Sequence, residues 1–243
     1  KRYPIANLPL EDVSSKDVAG WRDVRLTEVS AATVLREMNL LSHVFSIAVR
    51  EWELIEINPC SKVSRPKQPE ARERRISEGE IEALEAMAGY VLEDGAPEHP
   101  AALAVLAMHI AIETGMRLGE ICQCAPEHFN AAQRTLMLPA EIVKTRRRRT
   151  VPLSKKAVAA LGLLFESDLH PARSVNVSKV FATLTAKAGI EGLTFHDTRH
   201  EAITRLALVL SPLELAKAVG HTNLNQLMTY YDESAASIAE RLG

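Results

Sequence analysis

Residues 61–75, Ser-Lys-Val-Ser-Arg-Pro-Lys-Gln-Pro-Glu-Ala-Arg-Glu-Arg-Arg, cannot join a hydrophobic core. Two prolines withhold backbone donors, charged side chains crowd the stretch, and Val63 and Ala71 are its only other apolar residues. The chain therefore divides, with a boundary near residue 72. Just beyond it, Ser77-Glu-Gly-Glu80 has the wording of a capping box, which opens a new helix. The division expected is a helical unit over 1–66, a linker over 67–76 and a larger unit over 77–243. With 243 residues, 47% of them hydrophobic, the chain can build two modest cores.

In the first unit, a short helix is expected around 15–25. Ser30 then reads as the N-cap of a long helix over 31–51. Its apolar residues Val34, Met38, Leu41, Val44, Phe45 and Val49 fall at three- and four-residue spacing, and Asn58-Pro59 marks a stop. In the second unit the pattern predicts helices over 78–92 and 99–113, a break at Gly115, and a restart over 117–124. Two short strands follow, 134–138 and 149–153, joined by a hairpin that carries Lys144-Thr-Arg-Arg-Arg-Arg149. Further helices are expected over 155–166, 176–188, 196–209, 212–219, 223–230 and 233–241, punctuated by Gly189, Ser211-Pro212 and Gly220. The fold class is mainly α with a small antiparallel β-sheet.

No run of eighteen apolar residues offers a membrane span, and the start does not read as a signal peptide. Three cysteines, Cys60, Cys122 and Cys124, cannot all pair, which fits free thiols in a reducing compartment. Cys122-x-Cys124 lacks the spacing of a zinc knuckle. A net charge of −2 is low for a chain that binds nucleic acid, but its distribution matters more. Residues 76–100 hold seven acids and no Lys or Arg; without them the remainder stands at +5. Basic residues concentrate at 65–75 and 146–149. An acidic outer helix and a basic inner surface reconcile the totals.

Four separated stretches carry chemistry-bearing residues: Glu113-Thr-Gly-Met-Arg-Leu-Gly-Glu-Ile121, Ile142-Val-Lys-Thr-Arg-Arg-Arg-Arg-Thr-Val-Pro-Leu153, Phe195-His-Asp-Thr-Arg-His200, and Val219-Gly-His-Thr-Asn-Leu-Asn-Gln-Leu-Met-Thr-Tyr-Tyr231. Each alone has an ordinary reading. Arg117 can pair with Glu113 or Glu120, and the arginine run can be a solvated hairpin tip. His196 and His200, four apart on one helix face, could be zinc ligands, though no third is obvious. His221 can cap a helix, and Tyr230 or Tyr231 can fill a core. Together, in one order and with two tight internal spacings, they resemble the tyrosine recombinases of the phage-integrase type. That pattern is Arg, a hairpin Lys, His-x-x-Arg, Gly-His, then Tyr nine residues later, which is Tyr230. The resemblance covers residues 78–235, and the long helix and Asn-Pro of 31–66 resemble the family's core-binding domain. Lys1-Arg-Tyr-Pro-Ile and Trp21-Arg-Asp-Val-Arg-Leu resemble its plasmid shufflon-inverting members.

The resemblance implies attack of Tyr230, with Tyr231 as the runner-up that the register from His221 disfavours, on a DNA phosphodiester, giving a 3′-phosphotyrosine and a free 5′-hydroxyl. Arg117 and Arg199 would neutralise the non-bridging oxygens with bidentate, permanently charged forks. His196 is the expected general base, since a tyrosine of pKa about 10 is only about 0.1% phenolate at neutral pH. Lys144 is the expected acid for the leaving oxygen, and His221 a donor to the phosphate. Glu120 would hold Arg117, with Asp197 and His200 in support. Arg65, Lys67, Arg72, Arg74, Arg75 and Arg146, Arg147, Arg148 and Arg149 are the expected DNA-backbone contacts. The resemblance calls for no metal, ATP or other cofactor, and for double-stranded DNA as the partner. It also implies a homotetramer on DNA, compatible with a monomer in solution, candidate accessory DNA-bending proteins, and a cytoplasmic setting in a bacterium or from a phage. The tail 232–242 would dock on a neighbouring subunit. A type IB topoisomerase, a non-catalytic DNA-binding protein of the same fold, and a zinc hydrolase are the competing readings.

Overall fold

The computed structural model describes residues 2–68, 74–169, 176–221, 223–224 and 227–231. Its chain separates into two compact units, Lys1–Arg72 and Glu73–Gly243. The fold is mainly helical with one three-stranded antiparallel sheet.

In the first unit, α1 (Ser15–Glu28) is opened by a reciprocal Ser14–Asp17 capping box. Helix α2 (Ala31–Arg50) is capped by Ser30 and buries Val34, Met38, Phe45 and Ala48 on one stripe. A 3₁₀ turn over Pro59–Lys62 closes the unit. Asn58 holds that turn: its amide donates to Ser42 O and Ser46 Oγ, both at 2.9 Å, and its carbonyl accepts from Cys60 N. Val18, Phe45 and Cys60 form the local core.

In the second unit, α3 (Glu78–Ala88) starts at the Ser77–Glu80 capping box. It stops four residues earlier than the pattern suggested, because Gly89 turns left-handed (φ 63°) and Tyr90 folds back to donate to Gly95 O at 2.8 Å. Helix α4 (Pro100–Thr114) is buried along most of its circumference, with His109 and Glu113 as its partly exposed polar positions, and lies at the centre of the core against three later helices. The short α5 (Leu118–Ile121) leads to the sheet. Two strands were expected there; the structure has three, β1 (Phe129–Asn130), β2 (Thr135–Leu138) and β3 (Arg149–Pro152). In the β2–β3 register Leu136 faces Val151 and Leu138 faces Arg149. Helices α6 (Lys155–Glu166), α7 (Val177–Lys187), α8 (Phe195–Ala207) and α9 (Pro212–Val219) follow. Where a helix over 223–230 was expected, the structure has a 3₁₀ turn at Met228–Tyr230, which packs beside Leu227, Ile203 and Leu215. The expected helix over 233–241 lies outside the described residues, as do Arg72 and the remainder of the tail.

Candidate active site

The site gathers where α4 ends, α8 begins and α9 ends. Thr114 closes α4, and Gly115 takes a left-handed turn (φ 63°) whose missing side chain lets Val219 approach. Arg117 follows as the residue before α5. Helix α8 is started by Asp197, whose carboxylate accepts from Thr194 N at 2.7 Å and Thr194 Oγ at 2.9 Å. That cap fixes the helix on which His196, Arg199 and His200 are spaced. Met116, Arg117, Leu118, Thr194, His196 and Arg199 line one cleft.

Two backbone carbonyls hold Arg199. Its Nη1 donates to Gly115 O and its Nη2 to Val219 O at 2.8 Å. The side chain is thus strung between the ends of α4 and α9, and only 4% of the residue is exposed. Burial, together with Arg117 nearby, pulls its pKa down to about 9. Glu120, 1% exposed, is shared: Oε1 accepts from Arg117 Nη1 at 3.0 Å, and Oε2 from Arg117 N at 2.9 Å and Arg149 Nη2 at 2.8 Å. Burial favours its neutral form, but Arg149 and Arg117 outweigh that and hold the carboxyl below its usual range. His221 follows the left-handed Gly220 (φ 68°). Burial and then Arg199, Arg117 and Arg149 push its pKa down to about 4, so the ring is neutral near pH 7. Its Nδ1 is buried with no partner among the described residues.

The two adjacent tyrosines have different fates. Tyr230 Oη lies 2.9 Å from His200 Nδ1. Burial raises the Tyr230 pKa, while the nearby Arg199 and Arg75 charges oppose the rise. Tyr231 instead donates to Leu210 O at 2.6 Å. The imidazole against the nucleophile candidate is therefore His200. His196, expected as the base, lies in the cleft with the two arginines and meets the His200 ring edge-on, 5.2 Å between centroids. Nothing in the linear spacing shows that contact, because it depends on where the 3₁₀ turn lands on α8.

The expected basic residues scatter. Lys144 is exposed in the β2–β3 loop and lines a separate depression with Glu141 and Arg146. Arg146, Arg147 and Arg148 are also exposed. Arg149 departs from its expected place on the DNA backbone: it is turned inward, its side chain 8% exposed, bonded to Glu120 and Ala218 O. Alternation along β3 puts it on the face of buried Val151. Arg74 pairs with Glu80 at 2.5 Å and Arg75 with Glu201 at 2.7 Å, so both are engaged by carboxylates of their own unit. Arg65 is exposed and donates to Asn39; Lys67 is exposed. Among the described residues no three His, Cys, Asp or Glu side chains come together as metal ligands, and no helix is long and apolar enough to cross a membrane.

The Phage integrase family profile matches residues 74–237. A protein of Haemophilus influenzae provisionally named an integrase/recombinase is 34% identical over 252 residues, covering 99% of this chain and 80% of the relative. The shufflon-specific DNA recombinase of Escherichia coli is 32% identical over 255 residues, covering all of this chain but only 64% of the relative. Among solved structures, the Tn1549 transposon integrase in complex with a circular intermediate DNA superposes with a TM-score of 0.74 at 17% identity, over 100% of this chain and 89% of that one. The lambda integrase tetramer bound to a Holliday junction gives 0.66 at 21% identity, over 90% and 68%. These likenesses extend over both units of the fold. The chain belongs to the phage integrase family, the tyrosine recombinases.

Proposed function

We propose that this chain is a site-specific DNA recombinase, cutting and rejoining duplex DNA through a 3′-phosphotyrosine on Tyr230. One observation carries the reading. Glu120 binds the guanidinium groups of Arg117 and Arg149, Arg199 shares the cleft with Arg117 and is held by two backbone carbonyls, and a tyrosine hydroxyl nearby is already hydrogen-bonded to an imidazole. Such a site has surplus positive charge and room for an anion between Arg117, His196 and Arg199. A phosphodiester passing through a pentacovalent transition state is an anion that gains from it.

In the forward step the Tyr230 oxygen bonds to phosphorus and the bond to the 5′-oxygen breaks. The phenol proton passes to His200 Nδ1, the base in contact with it, while His196 works at the phosphate side of the cleft. Arg117 and Arg199 take the non-bridging oxygens, and neutral His221 gives them one N–H. The departing 5′-oxygen takes a proton from Lys144, which requires the exposed hairpin to come over bound DNA. Arginine neighbours are poor acids because guanidinium hardly releases its proton. Rejoining runs these steps backwards with another strand's 5′-hydroxyl, and the phosphotyrosine conserves the bond energy, so neither ATP nor metal is called for. Tyr231 is a poor nucleophile because its hydroxyl is spent on Leu210 O.

On this reading residues 1–66 are a core-binding domain, 67–76 a linker and 77–243 the catalytic domain. Arg65, Lys67 and the exposed Arg146 to Arg148 meet DNA phosphates, and four copies assemble on two duplexes. The last point has support from the lambda integrase tetramer on a Holliday junction. The reading is tested by mixing the protein with sheared DNA of its source, denaturing, and looking for protein linked to DNA. A protease-sensitive adduct that recurs at one sequence is expected. DNA retention with no adduct at any incubation time would leave a binding protein of recombinase fold instead.

A further inference from the structure

We infer that Arg149 is a positioning residue, one that ties the root of the Lys144 hairpin to both elements that carry the phosphate-binding groups. The inference rests on the recombinase reading above. Arg149 is the first residue of β3, where the hairpin closes opposite Leu138. One arm of its guanidinium, Nη2, donates to Glu120 Oε2 at 2.8 Å, and Glu120 in turn holds Arg117 through both its side chain and its backbone N–H. The other arm, Nη1, donates to Ala218 O. The next carbonyl along, Val219 O, holds Arg199, and two residues later comes His221. A single planar fork therefore reaches the Arg117 turn on one side and the Arg199–His221 turn on the other.

Two further details argue that this is a spacing device rather than a stability device. A Cβ on Gly220 would stand 2.8 Å from both Arg149 Cδ and Nε, so the turn that delivers His221 is shaped around this side chain. Arg149 Nε is buried with no partner among the described residues. Burying a cation with an unused donor is costly, and apolar residues stabilise such positions as well or better. A lysine, with a point charge, cannot reproduce two divergent bonds in one plane.

The test uses the full chain and sheared DNA, and reads two quantities: the rate of adduct formation at saturating DNA, and the DNA concentration giving half that rate. Arg149→Met is expected to lower the saturated rate by about 10²-fold, with Arg149→Lys intermediate. The half-saturating concentration should stay within about threefold of the parent's, which a backbone-contact role would not allow. Gly220→Ala should also slow the parent, and add less to the loss in an Arg149→Ala background, where the atoms that its Cβ would meet are gone and only the strain of a left-handed alanine remains. Melting temperatures separate unfolding from misplacement; if Arg149→Met does not fold, Arg149→Lys and Gly220→Ala carry the comparison.

Arg149 variants that cleave at the parent's saturated rate, or that lose only DNA affinity, would overturn the inference. If the parent forms no adduct, the recombinase reading fails, and inorganic phosphate becomes the probe. A rise in the parent's Tm with phosphate that is reduced in Arg149→Lys keeps Arg149 as the organiser of an anion site. Equal rises, or none in the parent, remove it.

Discussion

Arg199→Met is expected to slow formation of the DNA–protein adduct by about 10²–10³-fold, the usual cost of deleting one preorganised donor. Two losses coincide in that variant. The phosphate loses a bidentate cation, and the carbonyls of Gly115 and Val219 lose the donor that joins the ends of α4 and α9. Arg199→Lys separates them in an informative way. The site disfavours its own charge strongly enough to bring an arginine down to about 9. The same burial acting on a lysine, ordinarily at about 10.4, also lowers its pKa, and from a lower starting point than an arginine's. The lysine variant should therefore gain activity as the pH falls from alkaline to neutral, while the parent changes far less over that range. Rates at limiting DNA between pH 7 and 9, which report the free protein, check this, and equal pH profiles for the two would count against a buried cation at the phosphate.

Glu120→Ala should cost about 3–5 kcal/mol of unfolding free energy, the range for removing one partner of a buried ion pair. The reason is what remains: Arg149, 8% exposed, without its carboxylate, and the Arg117 N–H and guanidinium without theirs. Urea unfolding at neutral pH measures the loss; a change under 1 kcal/mol would mean that water replaces the carboxylate and that the network is not structural. The pH dependence has a definite sign. The Glu120 carboxyl sits below its usual range in the folded protein, so its contribution is complete above the ordinary carboxylate pKa and is lost as the pH falls through the folded value. His221 acts in the same direction and earlier. Its ring is neutral in the fold down to about pH 4 but takes a proton near 6.5 once unfolded, so the parent loses stability as the pH drops from about 6.5 to about 4. His221→Asn should lessen the slope of that upper part, to which buried His196 also contributes, and Glu120→Gln the slope of the lower part, which Glu80 and Glu201 share.

Local rules made much of the architecture legible. Ser30 as a cap places α2 at Ala31–Arg50, and Ser211-Pro212 with Gly220 places α9 at Pro212–Val219, because caps, prolines and left-handed glycines act on their immediate neighbours. The 100–112 stretch is apolar but for His109, and it forms α4 at the centre of the core. Other features depend on contacts between distant segments. Strand β1 is two residues long and exists only through its pairing with β2, so it has no periodicity of its own. The turn at Met228–Tyr230 is shaped by packing against α8 and α9, which override the helical pattern of 223–230.

The site divides the same way. Motif order brings Arg117, His196, Arg199, His221 and Tyr230 to notice, yet order alone does not say which histidine meets the tyrosine. That is His200, through a contact between residues thirty apart. Arg149 was open to a better reading. Alternation puts it on the inward face with Val151, but four consecutive arginines look like one solvated patch, and only the strand register separates the last from the other three.

Identifying the residue that carries the DNA tests the account most directly. The adduct would be digested with nuclease and then with protease, and the peptide bearing the residual nucleotide sequenced by mass spectrometry, beside Tyr230→Phe and Tyr231→Phe proteins. Phosphate on Tyr230, persisting in Tyr231→Phe and absent from Tyr230→Phe, is the result expected. A nucleotide on Tyr231, or an adduct that survives Tyr230→Phe, would contradict the assignment of the nucleophile and with it the role given to His200.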